Sequence, residues 1–189
     1  MDLVLFGIQG SGKGTQAKRL ATEFTYDIFE AGGELRKIAA SGSPLGETVK
    51  SYIDAGNLVP HEIIMEVVQE AVLRRPKTQK LLFDGIPRDE SQRRDFDAIM
   101  RDAGRDFRCI HTLLSPEEGL RRILGRAEAE GRADDAHTEV IEKRMKTFAE
   151  KTLPVIREYE KEGRVVEIDG MKGVDEVYEE MKKVASRES

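Results

Sequence analysis

Short apolar runs recur along the chain, each followed by a stretch in which apolar residues return every three or four positions. The first run, Asp2–Ile8 (DLVLFGI), has no helical gap and predicts a buried strand. From Lys13 the pattern changes. Ala17, Leu20, Ala21 and Phe24 recur at helical spacing, so a helix begins inside the glycine cluster that follows the run. Further strands are predicted at YDIFEA (Tyr26–Ala31), KLLFDG (Lys80–Gly85), FRCIHTLL (Phe107–Leu114) and RVVEIDG (Arg164–Gly170). Ile64, Val68 and Val72 mark one intervening helix; Ile141, Met145, Phe148 and Val155 mark another, which Pro154 is expected to kink. Strands alternating with helices predict an α/β domain with a parallel sheet covered on both faces.

Two segments do not serve that sheet. Residues 30–59 carry helical patterns and turn residues (Gly42, Ser43, Pro44, Gly46, Gly56, Asn57) but no strand, and Arg126–His137 (RAEAEGRADDAH) is short, polar and glycine-interrupted. Both read as excursions from one core, the kind of loop that commonly carries function. A length of 189 residues suits one sizeable core rather than two domains. No apolar run approaches the roughly 20 residues that span a bilayer, and MDLVLFG lacks the basic start of a signal peptide. Cys109 is the only cysteine, which rules out an internal disulfide or a cysteine-rich zinc site and suits a reducing cytoplasm. The histidines, His61, His111 and His137, are scattered without metal-ligand spacing and read as surface or strand residues. A net charge of -5 argues against nonspecific nucleic-acid binding, though not against a local basic cleft.

The glycines have a chemical reason. GIQGSGK fits G-x-x-x-x-G-K, with Gly7, Gly12 and Lys13 in place after a strand and before a helix. Successive backbone N–H groups and the helix N-terminus would then face a polyphosphate, with Lys13 on its outer phosphates. The general motif has Ser or Thr directly after the lysine; here Gly14 stands there and Thr15 follows. A bare turn is the competing reading, and the lysine in a strand–helix context argues against it. Asp84 ends an apolar strand at the sheet edge where ligands of such folds bind, so it could hold Mg²⁺ through water beside the phosphates. An Asx turn into Gly85 is its simpler alternative. Arginines accumulate at Arg36, Arg88, Arg122, Arg126, Arg132 and Arg144, suiting phosphoryl transfer, which needs positive charge around the moving group. Arg74, Arg75, Arg93 and Arg94 read as solvated helix-face residues.

In order and spacing, GIQGSGKGTQ, GGELR, DAGNLVP, DGIPRDESQ, GRADD and EKRMKTF resemble the adenylate kinases, and the likeness runs almost end to end. GKGTQ with DGIPR is highly specific to nucleoside-monophosphate kinases, among which Lys-Gly-Thr is the usual form. The resemblance implies Mg²⁺-dependent phosphoryl transfer from ATP to AMP, giving two ADP. The implied fold is a five-stranded parallel P-loop core with an AMP-binding segment at about 30–59 and a short lid at about 126–137. It implies that Gly10, Ser11, Gly12, Lys13, Gly14 and Thr15 wrap the ATP phosphates, that Arg122 and Arg126 serve the ATP side and that Lys172 lies near its adenine. Arg36 and Arg88 would hold the AMP phosphate, and Gln92 would read the adenine edge. Ala31, Gly32, Asn57, Leu58, Val59, Gly85, Ile86 and Pro87 would line the same pocket. Arg132 and Arg144 would close on the phosphates exchanged, with Asp84 and Thr15 serving the magnesium ion. The short lid implies no structural zinc, and the family implies a cytoplasmic monomer that does not engage membranes or nucleic acid.

Three positions depart from the family pattern. Gln9 replaces the usual proline, Ala31 the usual threonine and Gly33 a common aspartate. Relatives acting on UMP and CMP also carry alanine at the position of Ala31, which makes a pyrimidine or broad-specificity kinase the alternative; they carry asparagine where this chain has Gln92, which favours AMP. A scaffold without catalysis is disfavoured by the intact Lys13, Asp84 and arginines, and a GTPase by the lack of an N-K-x-D stretch.

Overall fold

The computed structural model describes residues 1–130 and 138–187. Five strands, β1 (Asp2–Phe6), β2 (Asp27–Glu30), β3 (Leu81–Asp84), β4 (Phe107–Leu113) and β5 (Val165–Asp169), pair in parallel in the order β2-β3-β1-β4-β5. The helices are α1 (Lys13–Phe24), α2 (Ala31–Ala39), α3 (Pro44–Asp54), α4 (His61–Leu73), α5 (Glu90–Asp102), α6 (Pro116–Glu130), α7 (Thr138–Thr147), α8 (Leu153–Lys161) and α9 (Val174–Arg187). A π-helical turn, Phe148–Thr152, separates α7 from α8, so the irregularity expected at Pro154 begins one turn earlier and Pro154 opens α8.

Alternation along the strands divides the core into two layers. Leu3, Leu5, Leu82, Ile110 and Ile168 pack against α1 and α9, while Val4, Phe6, Phe83, Phe107 and Cys109 pack against α2–α5 and α8. In the second layer aromatic rings follow one another from Phe29 to Phe83 (5.9 Å), Phe96 (5.0 Å), Phe107 (5.2 Å), Tyr159 (5.5 Å) and Phe6 (6.1 Å). Each such pair contributes about 0.5–1.5 kcal/mol beyond its buried area. At the opposite end of the sheet, the buried Asp2 carboxylate binds Arg105 at 3.0 Å and accepts from Leu81 N at 2.8 Å.

This order creates a crevice. The connection after β1 leads to α1 on one face, whereas that after β3 leads to α5 on the other. Loops leaving neighbouring strands in opposite directions open a gap at the carboxyl edge of the sheet. Of residues 30–59, expected as a helical excursion, Glu30 ends β2, and α2 and α3 lie beside that gap.

Two sequence expectations need correction. Arg93 is not a solvated helix-face residue: its side chain is 18% exposed and reaches Glu90, Asp97 and Glu162. Arg75 pairs with Asp27 and donates to Ala71 O, tying α4 to β2. Glu90 and Asp97 stand at helical spacing from Arg93, whereas Glu162 and, for Arg75 just past α4, Asp27 come from elements that sequence spacing does not connect. His111 is a strand residue, buried on β4, while His61 meets Asp95 at 2.7 Å near the surface; His137 lies outside the described residues. Among the described residues no helix is long and apolar enough to cross a membrane.

Candidate active site

β1 ends in the glycine cluster, and α1 starts at Lys13 with Gly12 as its N-cap. Gly12 has φ +85°, a left-handed conformation that costs other residues energy. It turns the chain so that the first N–H groups of α1 face the cavity beyond the sheet edge. Lys13 Nζ folds back onto the loop, donating to Gly7 O (2.6 Å) and Ile8 O (3.1 Å). The Lys13 cation thus adds to the positive potential of the helix start, and the two together favour an anion there.

Beside it, Asp84 ends β3. Burial pushes its carboxyl above the usual range, opposed chiefly by Lys13 and then Arg88. Asp84, Thr15, Gly10, Gly12, Lys13, Gly14 and Arg122 share the lining of a cavity of about 670 Å³ with Gly32, Arg36, Asn57, Leu58, Val59, Gly85, Pro87, Arg88 and Arg144. Ser11 is buried beneath, within 3.4 Å of Lys13 Nζ.

The far wall is cationic. Arg88 Nε donates to Gly85 O at 2.7 Å. Burial lowers its pKa, opposed first by Asp84, and the like charges of Arg144 and Arg36 lower it further. Arg36 is paired with Glu30 at 2.8 Å, and Arg144 donates to Ile53 O at 3.2 Å. Such a convergence of guanidinium groups favours entry of a phosphate that bridges them.

A narrower slot opens off this wall, lined by Ala31, Leu35, Leu58, Val59, Ile64, Gly85, Ile86, Arg88 and Gln92. Gln92 is 3% exposed and fixed by its helix start: its N–H donates to the Asp89 side chain (2.9 Å), while its Oε1 accepts from Arg88 N (2.7 Å). This reciprocal cap orients the amide edge toward the slot's apolar walls.

Some residues escaped the sequence reading. Glu30 holds Arg36, and Thr152, in the π-helical turn, donates from its hydroxyl to Arg88 O at 2.8 Å. Thr147 and Phe148 also line the cavity. No motif flags Glu30 or Thr152, since a lone glutamate or threonine acquires its role only through what folds against it; Thr147 and Phe148 close the EKRMKTF stretch, which by itself assigns them no role. Lys172 pairs with Glu180 and is not among the described residues that line the cavity. Arg122 binds Glu118 at 2.7 Å. The Arg126 side chain and the whole of Arg132 lie outside the described residues. Among these residues no group of three or more His, Cys, Asp or Glu could hold a metal.

Comparison with known proteins agrees with this geometry. Residues 5–164 match the family model described as adenylate kinase. Adenylate kinase from Thermus thermophilus is 39% identical over 177 residues, spanning 93% of this chain and 92% of the relative. That from Maricaulis maris is 38% identical over 178 residues, 94% of each. That from Xanthomonas euvesicatoria pv. vesicatoria is 36% identical over 188 residues, 99% of this chain and 100% of the relative. Nothing in these relatives favours a UMP/CMP kinase. With a matched domain and relatives alike over nearly the whole length, the chain belongs to the adenylate kinase family, and its reaction is phosphoryl transfer between ATP and AMP.

Proposed function

We propose that the one cavity holds both nucleotides together, ATP on the glycine loop and AMP against the arginine wall, so that the phosphoryl group passes directly between them. The observation that carries this reading is continuity: Lys13 and Gly14 share a single 670 Å³ space with Arg36, Arg88 and Val59. The backbone of Gly10, Ser11, Gly12, Lys13, Gly14 and Thr15 cradles the ATP phosphates, and Lys13 exchanges its loop carbonyls for the outer phosphate oxygens. Arg122 and Arg126 serve the rest of ATP, and Lys172 approaches its adenine by leaving Glu180. Arg36 and Arg88 grip the AMP phosphate; Ala31, Gly32, Asn57, Leu58, Val59, Gly85, Ile86 and Pro87 surround its nucleoside, and Gln92 reads the adenine edge. Arg144, with Arg132, offsets charge on the group in flight. Transfer is in line, without a covalent intermediate, and depends on positioning and electrostatics.

The donor set fits Mg²⁺. A buried carboxylate whose ionised form is disfavoured by burial gains from a nearby dication, and one carboxylate plus the Thr15 hydroxyl suits an ion that keeps waters and phosphate oxygens as its other ligands. Bound there by Asp84 and Thr15, Mg²⁺ would neutralise phosphate charge. The slot beside Gln92 measures only about 20 Å³, so a purine enters by displacing α2 and α3 as one segment (30–59) of an otherwise single core. Closure of that segment and of residues 126–137 excludes water, which would otherwise accept the phosphoryl group. We propose a cytoplasmic monomer.

An acceptor panel tests the assignment. With ATP and Mg²⁺, AMP should be used far better than CMP, UMP or GMP. Comparable use of UMP or CMP would shift the reading to a broad-specificity kinase, since Ala31 lacks the hydroxyl that could discriminate.

A further inference from the structure

The tip of the glycine loop rests on α6 through two facing glycines. Gly119 is buried at the end of the first turn of α6, its N–H bonded to Ser115 O at 2.9 Å. A β-carbon there would lie 2.8 Å from the Gln9 carbonyl oxygen, 3.3 Å from Met145 Cε on α7 and 3.5 Å from Ile8 Cγ2. From the other side, a β-carbon on Gly10 would lie 2.5 Å from Gly119 O and 3.0 Å from its Cα. Backbone therefore meets backbone.

The two glycines have different causes. Gly10 has φ +83°, so the loop's own path calls for glycine. Gly119 is helical, where alanine is the better helix former and glycine is otherwise a disadvantage. Helix formation does not ask for glycine at 119; the contact does. The Gln9 side chain supplies no polar tether, since its Oε1 is buried without a hydrogen-bond partner among the described residues. Lys13 holds the base of the loop at Gly7 O and Ile8 O, and at the junction with α6 it is shape that sets where the tip lies.

We infer that Gly119 is a positioning residue for the ATP phosphate loop: bare backbone at the junction of loop tip, α6 and α7 sets the height of Gly10, Ser11 and Gly12 over the cavity. This rests on the reading of that loop as the ATP cradle. A methyl group at 119 must open the 2.8 Å approach to an ordinary contact, a shift of roughly half an ångström. The carbonyl it pushes belongs to Gln9, next to the N–H groups that face phosphate. Transfer is steeply sensitive to such misplacement.

The test is Gly119→Ala beside Lys13→Ala, with kinetics for each nucleotide and thermal unfolding with ATP or AMP added. For Gly119→Ala, kcat/KM for ATP should fall about tenfold, with the KM for AMP within about twofold of the parent. The melting temperature without ligand should fall only modestly, because the helix preference of alanine offsets part of the cost of moving the Gln9 backbone. The ATP-induced rise in melting temperature should shrink and the AMP-induced rise persist. Adding Met145→Ala should not restore ATP use, because the Gln9 carbonyl remains in the way. Unchanged ATP kinetics, equal losses for both nucleotides, or rescue by Met145→Ala would each overturn the inference. If Lys13→Ala also kept normal ATP use, the cradle reading itself would fall; a crippled Lys13→Ala beside a silent Gly119→Ala would remove only the role of Gly119.

Discussion

Arg88 shows how single residues in this site are set against their own comfort. Burial and the neighbouring Arg144 and Arg36 all lower its pKa, and only Asp84 and Glu30 oppose them. A phosphate relieves that crowding, so Arg36→Ala and Arg88→Ala should each raise the KM for AMP by about tenfold to a hundredfold, the loss of roughly 1.5–3 kcal/mol of charge-assisted bonding. ATP kinetics should change much less; equal effects on both nucleotides would contradict the division of the cavity. His111 makes a different prediction. Burial lowers its pKa despite Glu167, whose Oε1 lies 3.4 Å from Nδ1. A histidine depressed in the fold binds its proton more readily once unfolded, so the stability it confers is present above the unfolded value of about 6.5 and is lost as pH falls below it. His111→Gln should flatten the fall in melting temperature between about pH 7 and pH 5; an unchanged slope would assign that loss to other groups. Lys13 and Arg88 were legible from motif alone, because their neighbours in sequence define the geometry they need. The partners Glu30 and Thr152 were not, because they reach the site from other elements.

At the scale of elements, α7 grips the end of α3. Lys143 Nζ donates to Ala55 O at 2.9 Å and Arg144 Nη2 to Ile53 O at 3.2 Å, both carbonyls near the negative end of the α3 dipole. The sequence spacing suggests helix-face pairs of Lys143 with Glu139 and Lys146 with Glu142. Instead Lys143 reaches across to α3, and Lys146 approaches Glu150 at 3.8 Å. A carbonyl cluster at a helix end competes well with an exposed i,i+4 pair, which contributes only about 0.2–0.5 kcal/mol. Lys143→Ala should therefore cost less than about 1 kcal/mol of global stability, as an exposed contact does. It should nevertheless speed hydrogen exchange of the last α3 amides and, with α3 on the AMP side as proposed above, alter the KM for AMP by a few-fold. No change in α3 exchange would mean that the grip adds nothing to the segment's order.

For the molecule as a whole, one polar tie closes the sheet at the end opposite the site. The Asp2 and Arg105 side chains are 5% and 4% exposed, and Arg105 also donates to Gln79 O and Pro76 O. Removing one partner leaves a buried charge without compensation, so Arg105→Ala should lower the unfolding free energy by about 3–5 kcal/mol, read as a lower denaturant midpoint. Substrate affinities of the folded fraction should be unchanged, because the tie is at the amino edge of the strands and the cavity at the carboxyl edge. Altered KM values would show that the two ends are coupled.

The sequence by itself determined the kind of molecule: apolar runs spaced by helical patterns dictate a parallel sheet between helices, and the strand–glycine–lysine–helix order dictates a phosphate loop, since both rest on local geometry and burial. It also carried the family, through DGIPR and GKGTQ standing in register. Only the tertiary structure decided who partners whom. It drew Arg93 and Arg75 into ion pairs, put Lys172 on Glu180, broke the α7–α8 run with a π-helical turn that delivers Thr152 to Arg88, and set Gly119 against Gln9. These outcomes depend on distances between elements far apart in the chain, and those distances follow from how the two apolar faces of the sheet are covered, which no local spacing encodes.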